Sequence, residues 1–407
     1  MKKIIYFIVF FLYSGYYAVL ALLISFNLVS FSRYITVPLR LATSGLMVYV
    51  ILNVGISNNN FFKKKNDLLL IIIWNVFFIK VLVEFNIGTS LLRSWYEYLF
   101  YCINFCVLPY FMFSKLNFTK YKDVILNATI FSGFVLGCIS LFLYRDLLIM
   151  GVGRISEAAY LDNKIETISP LALSYCSVLT IALSVYQLLF QKGINLKFKY
   201  YYYVNIVLSF IMFFLGASRG SVIALFFSIL IFYFFTNKKV KTKIIKLILI
   251  SIPLIIIGVI KTKSLVFERI FNSSSKVNID NFGRGDLWRL AFKDFVNNPF
   301  FGGHIELINI PGYRDGMAGN IYPHNMILEV FMSSGLFIGL LFITVIIINF
   351  KKIFYLVKNN NENIWVFIIF IQSFTQHMFT GSIYTAVLFF FTLGLISAIK
   401  FDYKTIY

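Results

Sequence analysis

Two of the three histidines of this 407-residue chain, His304 and His324, share one polar interval, 261–329, with Arg269, Arg284, Arg289 and Arg314. A guanidinium meets a phosphate through two parallel hydrogen bonds. A histidine near neutral pKa can take a proton from a hydroxyl. Separately, then, these residue types can bind an anion and accept a proton. A further arginine, Arg219, stands in the turn Gly216-Ala217-Ser218-Arg219-Gly220-Ser221 between two apolar runs. Held at a membrane surface, it is either a functional cation or an anchor on lipid phosphate, and its spacing leaves the two readings even.

The elements that would position these groups are partly readable. Leu287, Trp288, Ala291, Phe292 and Phe295 recur on one helical stripe, with Asp286, Arg289 and Lys293 away from it. That pattern predicts an amphipathic helix in the membrane interface, ended by Asn298-Pro299 and Gly302-Gly303. Arg284 starts it, and either points into a cavity beneath or touches lipid headgroups. His324 and Asn325 open the next apolar run, directly after Tyr322-Pro323. Glu329 lies one turn deeper on the face of Asn325, whereas His324, five residues away, does not share it. A lone interfacial histidine is more often structural than catalytic. Gly335 and Gly339 have the GxxxG spacing of close helix packing. Lys80 and Glu84, four apart in an apolar run, either neutralise one another or line a polar path, and His377 beside Gln376 is a further weak candidate.

The rest of the chain sets the class. It is 59% hydrophobic and 13% charged, with a mean hydropathy of +0.82; soluble domains are about 25% charged. The apolar residues fall into blocks long enough to cross ~30 Å of hydrocarbon. We expect an all-α polytopic membrane protein, one integral membrane domain over 1–407, with about 12 transmembrane helices. They are placed near 4–28, 36–54, 68–86, 96–114, 123–143, 167–190, 200–217, 220–236, 244–260, 324–349, 363–380 and 382–399. The basic start precedes an apolar run too long for a signal peptide, hence an uncleaved first span.

Lysines mark alternate connections: Lys2 and Lys3, Lys63 to Lys65, Lys115 to Lys122, Lys192 to Lys199, Lys238 to Lys243, Lys351 to Lys358, Lys400 and Lys404. By the positive-inside rule both termini are cytoplasmic, and 261–323, between spans nine and ten, is a large periplasmic loop. The same lysines account for the net charge of +20 through orientation and anionic lipid, so nucleic acid is not an expected partner. Cys102 and Cys106 sit in an apolar span without a nearby histidine and read as core residues. Walker, DxD and H-E-x-x-H patterns are missing, so neither a nucleotide-sugar nor an ATP site is supported.

Three strings in order, GASRGS, GRGDLWRLAFKDFVNNPFFGG and YPHNMILEVFMSSGLFIGLL, make 216–341 resemble the C-terminal signature of the O-antigen polymerase and ligase superfamily. The span plan with one large late loop is similar as well. The resemblance implies a glycosyltransferase of the bacterial inner membrane that takes sugar from an undecaprenyl-diphosphate carrier at the periplasmic face, without metal, cofactor or nucleotide sugar. Its expected partners are lipid-linked repeat units, membrane lipid and a chain-length regulator. The leaving diphosphate needs fixed positive charge, for which Arg219 and Arg284 are the first candidates and Arg289 and Arg314 the next. His324, matching the family's His-Asn element, is the expected base, with Glu329 and His304 in reserve and Asn325 orienting base or sugar. The expected function is that of a polymerase, with a ligase transferring the chain to lipid A–core as the alternative. A lipid-linked oligosaccharide flippase is a weaker one, because the charges gather in one external loop and not along a central path.

Overall fold

The computed structural model describes residues 1–55, 65–89, 91–149, 155, 168–191, 193–246, 249, 253, 284–314 and 317–399. The protein is helical and its helices are apolar, as the composition requires. Six described helices are long and apolar enough to cross a membrane, seven if the bent first pair is one span. Predicted span nine and the loop residue Arg269 fall mostly or wholly outside the described residues.

By contacts the chain divides into two compact units, one made of 1–47, 117–275 and 355–375, the other of 48–116, 276–354 and 376–407. The first unit holds α1 (Lys2–Leu12) and α2 (Gly15–Ser25), which the sequence suggests as one span. They bend by 62° at Tyr13-Ser14, where a Cβ on Gly15 would lie 2.4 Å from the Phe10 ring. The first part of α3 (Ser32–Gly55) belongs here also. In the same unit are α7 (Phe118–Leu143), α9 (Pro170–Phe190), α10 (Leu196–Gly216) and α11 (Arg219–Phe234). A Cβ on Gly133 would meet Thr180 Oγ1 at 2.0 Å, and one on Gly216 would meet Ser174 Oγ at 2.1 Å. Small residues here let backbones approach, the means by which helices associate where lipid offers no hydrophobic contrast.

The second unit carries α4 (Lys65–Asn86) and α5 (Trp95–Cys102), which runs through a widened π turn at Ile103–Val107 into α6 (Leu108–Lys115). The short α8 (Arg145–Ile149) follows α7 in the first unit. The second unit continues with α12 (Arg284–Asn297), strands β1 (Leu307–Arg314) and β2 (Met317–Ile321), most of α13 (Met326–Asn359), the end of α14 (Ile364–Phe379) and α15 (Val387–Ala398).

Two details depart from the sequence reading. The interval after α12 is not all loop: β1 and β2 form an antiparallel hairpin, pairing Leu307 with Ile321 and Arg314 with Met317. And Gly335 does not serve helix-on-helix packing. It breaks α13, at φ 79° and ψ −175°, in backbone space that L side chains avoid.

Candidate functional site

The helix foreseen over the GDLWRLAFKDFVNN string forms as α12, but its apolar stripe divides. Leu287 and Ala291 are buried against Leu307, Ile310, Ile321 and Met332, so the helix lies on the hairpin and on the start of α13. Phe292 and Val296 stay exposed. Arg284 is exposed at the first position of α12.

The hairpin delivers the chain to Tyr322, Pro323 and His324. His324 has φ 58°, a left-handed conformation uncommon for a residue with a side chain. Its ring sits edge-on to Tyr322 at 4.7 Å between centroids, and its buried Nδ1 has no hydrogen-bond partner among the described residues. Asn325 caps α13: its Oδ1 accepts from Ile327 N and Leu328 N, both at 3.1 Å, two donors that the first turn of a helix leaves open. Burial and, secondly, the Arg284 charge push the His324 pKa down to about 4. At neutral pH this imidazole is uncharged and has a lone pair to offer. Backbone strain and an unsatisfied buried nitrogen are features found concentrated at functional sites.

Among the described residues two more buried nitrogens of this unit lack hydrogen-bond partners, Trp288 Nε1 and His377 Nδ1. Trp288 lies one turn from Arg284 on α12 and packs on Phe379, with centroids 6.3 Å apart. By sequence Trp288 is no more than part of the apolar stripe.

The remaining candidates are placed differently. His304 is exposed, and its ring nitrogen and backbone N–H both contact Asp294, at 3.2 and 2.8 Å. Arg289 is exposed and pairs with Asp286 at 2.9 Å on its own helix. Arg314 closes β1 opposite Met317. Glu329 is fully buried: it accepts from the Ser382 hydroxyl and, at 3.0 Å, from Ile383 N. Arg219 belongs to the first unit, exposed at the first position of α11 after Ala217 at φ 42°.

Glu329 is one of three carboxylates that the fold uses alike. Glu84 accepts from Ile305 N at 2.9 Å. Glu306, also fully buried, accepts from Leu92 N at 2.9 Å and from the Tyr98 hydroxyl. Each holds a backbone N–H outside the α-helices that would otherwise be orphaned. Burial raises the Glu306 pKa, against its hydrogen bonds and the Arg93 charge. Lys80 stands 3.8 Å from Glu84 and also donates to the Gly302 carbonyl at 3.1 Å, so the predicted pair exists and is tied to backbone. Among the described residues no three His, Cys, Asp or Glu side chains gather as a metal site would require.

An uncharged histidine at the start of a membrane helix, with an arginine charge acting on it, has a lone pair that can accept a proton and a cation that can meet an anion. The comparisons bear on the same stretch of chain. Residues 204–343 match the family described as O-Antigen ligase, which supports the O-antigen polymerase and ligase superfamily and a polymerase or ligase type of function. Members of that family are membrane glycosyltransferase-like enzymes acting on lipid-linked polysaccharide. The matched stretch contains all eight site candidates: Arg219, Arg284, Arg289, His304, Arg314, His324, Asn325 and Glu329. No curated protein and no solved structure matches the chain.

Proposed function

We propose that the protein is a surface-polysaccharide polymerase: a glycosyltransferase of the bacterial inner membrane that joins undecaprenyl-diphosphate-linked repeat units at the periplasmic face. The observation that carries the reading is His324 itself, in a left-handed backbone where α13 begins, with a buried Nδ1 that has no hydrogen-bond partner among the described residues and with the Arg284 charge acting on its ring.

The roles follow from charge. A hydroxyl at the non-reducing end of one repeat unit attacks the anomeric carbon of the lipid-linked chain. The new C–O bond forms as the bond from that carbon to the diphosphate breaks, and the hydroxyl proton passes to His324. Negative charge grows on the departing diphosphate oxygen, and fixed cations lower that barrier. Arg284 is the cation beside the base. Arg289 and Arg314, on the neighbouring helix and hairpin, are further contacts for phosphate or sugar. Arg219 is retained as a candidate cation on the character of its turn. Asn325 holds the backbone that presents His324.

The ligase reading has the family description in its favour; the Phe- and Ile-rich sequence and modest loop favour the polymerase. Deletion of the gene with the rest of the pathway intact separates them. A polymerase deletion leaves lipid A–core bearing a single repeat unit. Lipid A–core with no repeat unit, and chains stranded on the carrier, would establish the ligase instead.

A further inference from the structure

The segment between α12 and β1, Pro299-Phe300-Phe301-Gly302-Gly303, reads from sequence as a helix stop in an external loop. Its hydrogen bonds place it elsewhere. Leu336 N donates to the Pro299 carbonyl and Gly303 N to the Met332 carbonyl, both at 2.7 Å. These are backbone groups that the break in α13 frees, so the segment and the break satisfy one another. The fit leaves no room for a side chain: a Cβ on Gly335 would lie 2.2 Å from the Phe300 carbonyl oxygen, and one on Gly302 would lie 2.4 Å from Ser333 C.

Two helices give its depth. α13 has 34 residues, about 51 Å at ~1.5 Å per residue, well beyond ~30 Å of hydrocarbon. With Lys351 and Lys352 at one headgroup level, about 20 residues of span reach back to Phe331. Gly335 therefore lies inside the opposite edge of the hydrocarbon. α4 gives the same answer. Glu84, two residues before its end at Asn86, holds Ile305, while Lys80, one turn further in, holds Gly302. From Ile305 back to Gly302 the chain descends along α4. At its tip Phe300 is 59% exposed and Phe301 87%. Phe300 stacks at 6.3 Å on Phe337, itself an exposed residue of α13, followed by exposed Leu340.

We infer that residues 299–303 form a re-entrant hook whose Phe300 and Phe301 insert among the acyl chains of the leaflet on the α12 side. An exposed aromatic tip continuous with the lipid-facing surface of a span has hydrocarbon as its fitting partner. The hook sets the height of α12, and with it Arg284, relative to the membrane surface. This inference requires only that α4 and α13 span the bilayer, and holds whether or not the chain is a polymerase.

Phe301→Cys, made in a Cys138→Ser background because the other cysteines are buried, takes a nitroxide spin label in phospholipid vesicles. Collision with oxygen, which partitions into hydrocarbon, is compared with collision with a water-soluble nickel chelate. The expected oxygen-to-nickel ratio at 301 is several-fold above that at a label on exposed Lys293 of α12, and equal to that at Leu340→Cys. Nickel access as high as at 293 would show a loop in water, and low access to both reagents would show a protein partner, such as a second copy, in place of lipid. Either result overturns the proposal. Phe300→Cys gives an independent reading should the 301 label disturb the fold.

Discussion

Three carboxylates of the second unit and the residues Arg284 and His324 are treated in opposite ways. Glu84, Glu306 and Glu329 lie in the interior with their oxygens filled, each accepting a backbone N–H from a connecting segment. Arg284 is exposed, and His324 keeps a buried nitrogen without a hydrogen-bond partner among the described residues, in a left-handed backbone conformation. Satisfied polar groups build the scaffold; the unsatisfied one is the group we propose meets a substrate. The same contrast separates the two loop histidines, since His304 is already engaged by Asp294.

The contrast can be broken by substitution. Arg284→Ala has the largest expected effect, loss of chain extension by at least ~10²-fold, the usual cost of removing a fixed charge-stabilising group. Membrane levels of the protein should be unchanged, read by blotting fractionated membranes beside polysaccharide gels. Glu306→Ala acts on the scaffold instead. It orphans Leu92 N and the Tyr98 hydroxyl, at about 1–3 kcal/mol for each buried group, and should lower the melting temperature in detergent. Normal melting would remove the carboxylate from the scaffold. Gly335→Ala should also destabilise, because its Cβ has no space against Phe300.

A smaller effect is expected from pH. With a folded pKa near 4 and an unfolded value of ~6.5, His324 binds fewer protons folded than unfolded between these limits. Its contribution to stability is complete above pH 6.5 and falls as pH drops toward 4. Extension by membrane vesicles should likewise persist through pH 6.5 and fail only near 4. A midpoint at 6.5 would mean that His324 is neither buried nor beside Arg284 in the working protein. His304→Ala should change extension least, under ~2-fold, as suits an exposed histidine paired at the surface.

Much of this is legible in the sequence. Lengths and apolar blocks give the helical membrane class, and the 3.6-residue stripe gives α12. The hairpin is not anticipated although its signal is present: Asp315-Gly316 divides two short runs rich in Ile and aromatic residues, a common turn dipeptide. Taking the whole interval as one polar loop masks it. Gly335 shows another limit. GxxxG spacing is the same whether the glycines admit a neighbouring helix or permit a break, and only the backbone partner at Pro299 decides. The carboxylate ties are unreadable for a similar reason, because Glu84 and Ile305 are 221 residues apart. His324 can be picked out by its place after Tyr322-Pro323, but its missing partner cannot. The twelve-span count lies beyond what the described helices test.

The central claim is that His324 takes the proton in glycosyl transfer, and one complementation measures it. A deletion strain expressing His324→Gln at wild-type membrane levels is assayed for lipopolysaccharide chain length. The account predicts lipid A–core carrying no more than a single repeat unit. A full wild-type ladder would contradict it.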